Sequence, residues 1–306
     1  GLACAIRLLE KGARVALFDK AEQGGGVPQS IIPGERLASA AEEIQARLEP
    51  ALKAGRLTLH FGQALGRELT LDALRRDYAA VFLAVGLGES TRTVRPVPGV
   101  TDALTFLRDV KRGACRTIGA RVAVIGGGNT AIDAAVTAKR LGARDVYLVY
   151  RRSYAEMPAW PTEREHLLAS GGHLMMLMQP VGYETDAAGR LTGLKIQRTV
   201  LGEPDASGRR RPEPVPDSQS VLAVDAVIEA TGQTVPADLA DALEALGRTP
   251  SGALKMRAGS AATSLDGVYA GGDLVNGGTT AVRGIAEGLA AAEEILAACA
   301  SVRRAG

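Results

Sequence analysis

The chain has 306 residues, enough for about two domains of ordinary size, with 46% hydrophobic and 23% charged residues. Its formal net charge of +2 is too small for a nucleic-acid or membrane surface, and no apolar run approaches the ~20 residues of a bilayer span. Cys4, Cys115 and Cys299 are far apart, no C-x-x-C occurs, and the histidines fall at no ligand spacing. A redox dithiol and a zinc or iron–sulfur site within the chain are therefore excluded, and no metal-ligating residues are expected.

The 37 glycines exceed the usual share of about 7%. They cluster in motifs, as expected where backbone must approach a ligand closely. Gly1 to Leu9 reads as a helix with Ala3, Ile6, Leu8 and Leu9 on an apolar face, ended by Gly12. Val15 to Phe18 is a strand with Asp19 at its end. Asp19 follows Gly1 by 18 residues. That is the place of the carboxylate that binds a ribose diol when Gly1 is the last glycine of G-x-G-x-x-G. The chain is thus read as opening in mid-motif, with a strand and two glycines expected before Gly1. Gly24-Gly25-Gly26 then offers backbone that can lie against a ligand. Tyr78 to Gly86 reads as a buried strand closing on glycine.

Arg121 to Ser153 is the most informative stretch. Val122 to Ile125 is a short β-branched run typical of a buried parallel strand. Gly126-Gly127-Gly128-Asn129-Thr130-Ala131 follows at once and fits G-x-G-x-x-A. Gly126 permits the tight turn, Gly128 lets backbone approach a pyrophosphate, and Ala131 lets helix and strand pack closely. A helix from about Thr130 to Leu141 would point its N-terminal N–H groups at that pyrophosphate. The next strand, Val146 to Tyr150, ends in Arg151-Arg152, where an NAD site usually carries Asp or Glu. Paired guanidiniums would bind a 2′-phosphate, so this unit is read as an NADPH site. Leu174 to Met178 reads as a core strand and Arg209 to Pro216 as an exposed hairpin tip or loop. Ala226 to Gly232 is a second strand closing on glycine. Gly267 to Asp273 is a strand turning at Gly-Gly-Asp, followed by a helix from about Thr279. Gly86, Gly232, Gly272, Asp273 and Thr280 are all counted with a flavin site. Asp273 could accept a hydrogen bond from a ribityl hydroxyl, and the following helix N-terminus could face the pyrimidine end of an isoalloxazine.

In this order the motifs resemble the family of the NADPH-dependent glutamate synthase small chain and the FAD/NADPH portion of dihydropyrimidine dehydrogenase. The resemblance rests on Gly25-Gly26 with Ile32-Pro33-Gly34-Glu35-Arg36-Leu37, on GGGNTA, and on Tyr150-Arg151-Arg152-Ser153 with Glu156-Met157-Pro158-Ala159. Ala230-Thr231-Gly232-Gln233, Ala270-Gly271-Gly272-Asp273 and the stretch from Leu201 to Pro212 complete it. It implies FAD contacts at Gly1, Asp19, Gly25, Gly26, Arg36, Gly272, Asp273 and Thr280. It implies NADPH contacts at Gly127, Gly128, Asn129, Thr130, Arg151 and Arg152. In this family a preceding cysteine-rich domain carries [4Fe–4S] clusters, which would lie before Gly1.

The expected fold is therefore α/β, with two dinucleotide-binding, Rossmann-like domains. An NADPH domain (113–233) is inserted into a discontinuous FAD domain (1–112 and 234–306). The expected activity is a cytoplasmic, FAD-dependent NADPH oxidoreductase that passes electrons to iron–sulfur clusters or to a catalytic partner subunit or domain. No acid–base or nucleophilic residue is expected, because hydride transfer needs positioning rather than proton transfer. A disulfide reductase-like flavoprotein lacking its dithiol and a non-catalytic nucleotide-binding assembly subunit are the alternatives.

Overall fold

The computed structural model describes residues 1–37, 41–91, 97–205, 208–249 and 252–305. The first stretch carries α1 (Leu2–Glu10), β1 (Val15–Asp19), α2 (Gly26–Ile31), α3 (Ala41–Lys53), β2 (Leu57–Phe61), α4 (Leu71–Asp77) and β3 (Val81–Leu83). The middle carries β4 (Glu89–Ser90), β5 (Val100–Asp102), α5 (Ala103–Lys111), β6 (Arg121–Ile125), α6 (Asn129–Arg140), β7 (Asp145–Tyr150) and α7 (Pro161–Ala169). It continues through β8 (His173–Met176), β9 (Met178–Thr185), β10 (Leu191–Pro204), β11 (Arg210–Ala223) and β12 (Ala226–Glu229). The last stretch carries β13 (Gln233–Thr234), α8 (Ala237–Ala242), β14 (Val268–Ala270), α9 (Asp273–Asn276) and α10 (Ala281–Ala305).

These elements fall into two compact units. Unit 1 comprises Gly1–Gln29, Ser39–Glu89 and Gln233–Gly306. Unit 2 comprises Ser30–Ala38 and Ser90–Gly232. Residues 30–37 and 90–112, which the sequence reading gave to the FAD domain, thus lie with unit 2. The reason is local. Asp102 caps α5 by accepting from Thr105 N, while β5 pairs in parallel with β12, which drew in the whole segment. Lys111 Nζ donates to the carbonyls of Ile32 (2.7 Å) and Leu37 (3.3 Å), tying the 32–37 loop to α5.

Within unit 1, β1 pairs in parallel with β2 and β14 with β3. Val81, Leu83, Val268 and Ala270 pack with Leu239, Leu243, Leu254 and Leu274. Gly288 of α10 lies against α1, so closely that a Cβ there would sit 3.3 Å from Cys4 N. Only Val81 to Leu83 of the expected longer strand forms, since β14 offers just three partners.

Unit 2 is built on a five-stranded parallel sheet in the order β5-β12-β6-β7-β8. Val122, Ala123, Val124, Val146 and Leu148 are fully buried in it, which explains their unbroken apolar runs. A three-stranded antiparallel sheet, β11-β10-β9, packs Leu191, Leu194 and Ile196 against Ala123, Ile125 and Val149. Two local expectations change here. The strand from Leu174 to Met178 is broken at Leu177, whose φ of 57° separates β8 from β9. Arg210 to Pro216 is not a loop but part of β11. This is an edge strand, where Pro212 and Pro214 can face Leu201 and Thr199 without breaking a ladder on the outer side. The turn itself is formed around Asp205 and Arg209, with 206–207 outside the described residues.

Among the described residues no helix is long and apolar enough to cross a membrane, and no group of His, Cys, Asp and Glu could hold a metal ion.

Candidate cofactor sites

In unit 2 the glycine turn leaves the carboxyl end of β6 beside that of β12. Gly126 has φ 144°, and a Cβ on it would lie 2.4 Å from the Ala230 carbonyl oxygen and 3.2 Å from Ala131 Cβ. Only glycine fits, and only a small residue fits at Ala131, which is fully buried. Gly127 sits under the Tyr150 ring, 2.6 Å from where its Cβ would be. Tyr150 is fixed in turn by donating its hydroxyl to the Glu156 carbonyl (2.9 Å).

The 153–160 loop closes over this turn. Ala159 N donates to Gly127 O (2.9 Å) and Trp160 N to Asn129 Oδ1 (3.0 Å). The Asn129 side-chain oxygen is therefore taken by the loop, which orients its Nδ2 donors. Gly128 differs from its neighbours. A Cβ on it would meet nothing within 4 Å, and as N-cap of α6 it is bridged by no capping side chain. Thr130 lies half-buried in the same first turn. An open glycine at an uncapped helix N-terminus presents unpaired N–H groups and the positive end of the helix dipole, which suits a pyrophosphate.

The two arginines after β7 part company. Arg151 is exposed, and its carbonyl accepts from Thr199 Oγ1 (2.8 Å). Arg152 is 6% exposed. Its Nη2 pairs with Asp205 Oδ2 (2.8 Å) and its Nε donates to Arg210 O (2.8 Å). Of the expected pair of phosphate ligands, one guanidinium is exposed and the other is buried in an internal ion pair.

Two further assignments move. Gly232, with φ 124° and open space around it, follows β12 and so lies in unit 2 with the GGGNTA turn. Arg36 also lies in unit 2, where it pairs with Asp133 (2.5 Å) on α6 and Glu163 (2.9 Å) on α7. Its guanidinium is held by two carboxylates instead of standing ready for FAD. Glu35 beside it pairs with Arg140. Burial pushes the Asp133 carboxyl above its ordinary value. Arg36 opposes that shift, while the charges of Glu163 and Glu35 reinforce it.

In unit 1 the carboxyl ends of parallel strands again gather the predicted residues. Gly1 stands at the start of α1, uncapped by any side chain, and a Cβ on it would touch Ala84 Cβ at 3.3 Å, just past β3. Asp19 ends β1, its Oδ1 accepting from Ala21 N (2.9 Å). Gly25 (φ 112°) and Gly26 (φ 61°) lead into α2, and Gly24 lies near Phe61, the residue paired with Asp19. Gly86 (φ 68°) follows β3 and Gly272 (φ 75°, ψ −154°) follows β14. A Cβ on either would meet open space. Asp273 starts the single turn of α9. Thr280 Oγ1 accepts from Arg283 N (3.1 Å), making Thr280 a cap for α10.

Several residues that hold these sites together carry no local sequence signal. Glu287, 15 residues from Gly272, accepts from Gly272 N (2.6 Å), from Asn276 Nδ2 (3.1 Å) and from Arg283 Nε (3.0 Å). Asp205 and Thr199 reach Arg151-Arg152 from the hairpin, and Asp133 with Glu163 reaches Arg36. Apart from Arg283–Glu287, an i,i+4 pair within α10, these contacts join residues 11 or more positions apart, which spacing does not reveal. The one usable cue was the stretch from Leu201 to Pro212, recognised only as a family insertion.

The sequence profile of the pyridine nucleotide-disulphide oxidoreductases matches residues 1–288. The chain is 39% identical over 301 residues to the NADP(+)-dependent formate dehydrogenase subunit beta of Moorella thermoacetica, covering 96% of this chain and 42% of that protein. It is 35% identical over 317 residues to the glutamate synthase [NADPH] small chain of Escherichia coli (strain K12), covering 97% of this chain and 66% of that protein. The chain thus spans only part of the length of these relatives. Its fold is that of Mycobacterium tuberculosis FprA, solved in complex with NADPH. The TM-score is 0.75 over 99% of this chain and 83% of that one, at 15% identity. The expected α/β architecture and the resemblance to glutamate synthase small chains both hold, and the chain belongs to the pyridine nucleotide-disulphide oxidoreductase family.

Proposed function

We propose that this chain is the electron-entry part of a cytoplasmic flavoprotein. It would take reducing equivalents from NADPH and deliver them to iron–sulfur clusters or to a catalytic partner subunit or domain. The observation that carries the reading is the open, uncapped N-terminus of α6 at Gly128, with the exposed Arg151 at the end of the neighbouring strand β7. The names of the relatives point the same way: one is an NADP(+)-dependent subunit beta, the other an NADPH small chain.

Unit 2 would hold NADPH. Backbone N–H groups of Gly128, Asn129 and Thr130 suit its pyrophosphate, and Arg151 suits its 2′-phosphate. Gly126, Gly127 and Gly232 shape the turn around it. Unit 1 would hold FAD. Its fit rests on the open cradles at Gly86 and Gly272 and on the uncapped start of α1 at Gly1. Asp19 would serve the adenosine ribose and Asp273 a ribityl hydroxyl, with Gly25 and Gly26 lying along the cofactor. When bound, FAD supplies acceptance of a hydride and onward release of electrons. The chain's own part is binding and orientation. A dithiol route is not part of this reading, since Cys4, Cys115 and Cys299 form no C-x-x-C.

The test is the absorbance spectrum of the purified protein, followed by NADPH and NADH oxidation with ferricyanide as acceptor. A yellow protein that prefers NADPH is expected. A colourless protein that does not consume NADPH, even after FAD is added, would refute the proposal.

A further inference from the structure

We infer that Arg152 is a positioning residue, and that Asp205 and Thr199 of the β10–β11 hairpin hold the 151–152 backbone so that Arg151 meets the 2′-phosphate. The inference rests on the NADPH reading of unit 2 and goes beyond it. It moves part of the specificity for NADPH from the nucleotide-binding sheet to a hairpin that no dinucleotide motif contains.

Four contacts converge on the two residues. Thr199 Oγ1 donates to Arg151 O (2.8 Å), and Leu177 N donates to Arg152 O (3.1 Å). Arg152 Nε donates to Arg210 O and its Nη2 to Asp205 Oδ2, both at 2.8 Å. Thr199 N also donates to Leu177 O (2.8 Å), so the strand that holds Arg151 is braced against the break between β8 and β9. Asp205 completes the clamp from the turn, because its Oδ1 accepts from Arg209 N (3.2 Å). The Arg152 side chain is only 7% exposed and that of Asp205 25%. Two of the five N–H donors of this guanidinium are taken by a carbonyl and a carboxylate, in a side chain almost wholly buried. What it does is bind the tip of the hairpin to the end of β7, from which Arg151 projects into solvent. A phosphate-binding arginine is selective only while its backbone is fixed.

Two models for Arg152 then differ in the sign of one effect. If Arg152 were a direct ligand, removing the charge of Asp205 would free its guanidinium and leave 2′-phosphate binding unchanged or tighter. If Arg152 positions Arg151, the same change loosens the clamp and weakens binding.

The experiment is calorimetric titration of the purified full-length flavoprotein with 2′,5′-ADP and with 5′-AMP, in wild type, Asp205→Asn, Thr199→Val and Arg151→Ala. For Asp205→Asn the expected result is 2′,5′-ADP affinity lowered about tenfold, as for loss of one charge-assisted contact, with 5′-AMP affinity unchanged. Thr199→Val, which removes only the hydrogen bond to Arg151 O, should shift selectivity in the same direction by a smaller factor. It decides the matter if Asp205→Asn does not fold. Unchanged or tighter 2′,5′-ADP binding in these variants overturns the inference, as does an equal loss for both ligands. If Arg151→Ala leaves 2′,5′-ADP binding intact, Arg151 is not the phosphate ligand and the positioning role falls; if wild type binds 2′,5′-ADP no better than 5′-AMP, it is the NADPH reading that fails.

Discussion

Glu287 offers the sharpest test of how unit 1 holds its Gly-Gly-Asp turn. Its carboxylate accepts from Gly272 N (2.6 Å), from Asn276 Nδ2 (3.1 Å) and from Arg283 Nε (3.0 Å). In Glu287→Ala all three donors lose their acceptor. Arg283 is 60% exposed and rehydrates at small cost, so the loss falls on Gly272 and Asn276. Hydrogen bonds to a charged acceptor contribute about 1.5–3 kcal/mol each when buried. At 25% exposure of the Glu287 side chain the pair should be worth about 2–3 kcal/mol to unit 1. Glu287→Gln keeps an acceptor for Gly272 N and should lose about half of that.

The pH dependence follows from the same contacts. Burial would raise the Glu287 carboxyl, but the hydrogen bonds from Gly272, Asn276 and Arg283 outweigh it and hold the group below its ordinary 4.5. A lowered folded value means the stabilisation is fully present above 4.5 and is lost as pH falls through the folded value. Urea denaturation followed by circular dichroism, with flavin release read in parallel, should show a gap between wild type and Glu287→Ala that is full at neutral pH and narrows on acidification, toward the gap between Glu287→Gln and Glu287→Ala. A gap under about 0.5 kcal/mol at neutral pH, the range of an ordinary surface substitution, would refute the reasoning. So would a gap that does not narrow in acid.

Arg151→Ala should raise the KM for NADPH by about 10- to 100-fold and leave that for NADH nearly unchanged, as expected for one charge-assisted contact. Equal changes for both nucleotides would make Arg151 structural. Gly127→Ala drives a methyl into the Tyr150 ring and should cost about 1–3 kcal/mol, read as a lower melting temperature. An unchanged melt would show that the ring does not cover the turn. Asp133→Asn should leave stability at pH 7 unchanged or higher, even though it removes a partner of Arg36. Burial raises the Asp133 carboxyl, so the native state disfavours its ionised form. That penalty is absent below the unfolded value and grows as pH rises through the folded one. A loss at pH 7 equal to that of a broken buried pair, about 3–5 kcal/mol, would refute it.

Much of the site architecture was legible because its signals are local. Gly126, Gly128 and Ala131 each answer a steric demand made within a few residues of chain, and the structure shows that demand at 2.4 Å for Gly126 and as open space at Gly128. The place of Asp19 at the end of β1 is legible in the same way, from its distance to Gly1 along one helix and one strand. The ion pair of Arg152 is not legible, for the complementary reason. Its identity and place in Tyr150-Arg151-Arg152 suit a phosphate ligand, and only the return of the hairpin, 53 residues later, brings Asp205 against it. Arg36 and Gly232 were grouped with the wrong unit because strand order is not written along the chain. β12 enters the sheet between β5 and β6, and a run of apolar residues does not say which neighbours it will have.

Chain-local chemistry settled the α/β class, the glycine turn after β6, the carboxylate after β1 and the basic end of β7. These depend on backbone conformation and on side-chain type within one strand–turn–helix, where sequence distance and spatial distance agree. The division of labour among charged residues was settled by folding. Arg151 stays exposed while Arg152 is buried, Arg36 is held by Asp133 and Glu163, and Glu287 reaches back to Gly272. A charged side chain binds a ligand only if no partner from elsewhere in the fold has neutralised it, and that partner is chosen by long-range packing.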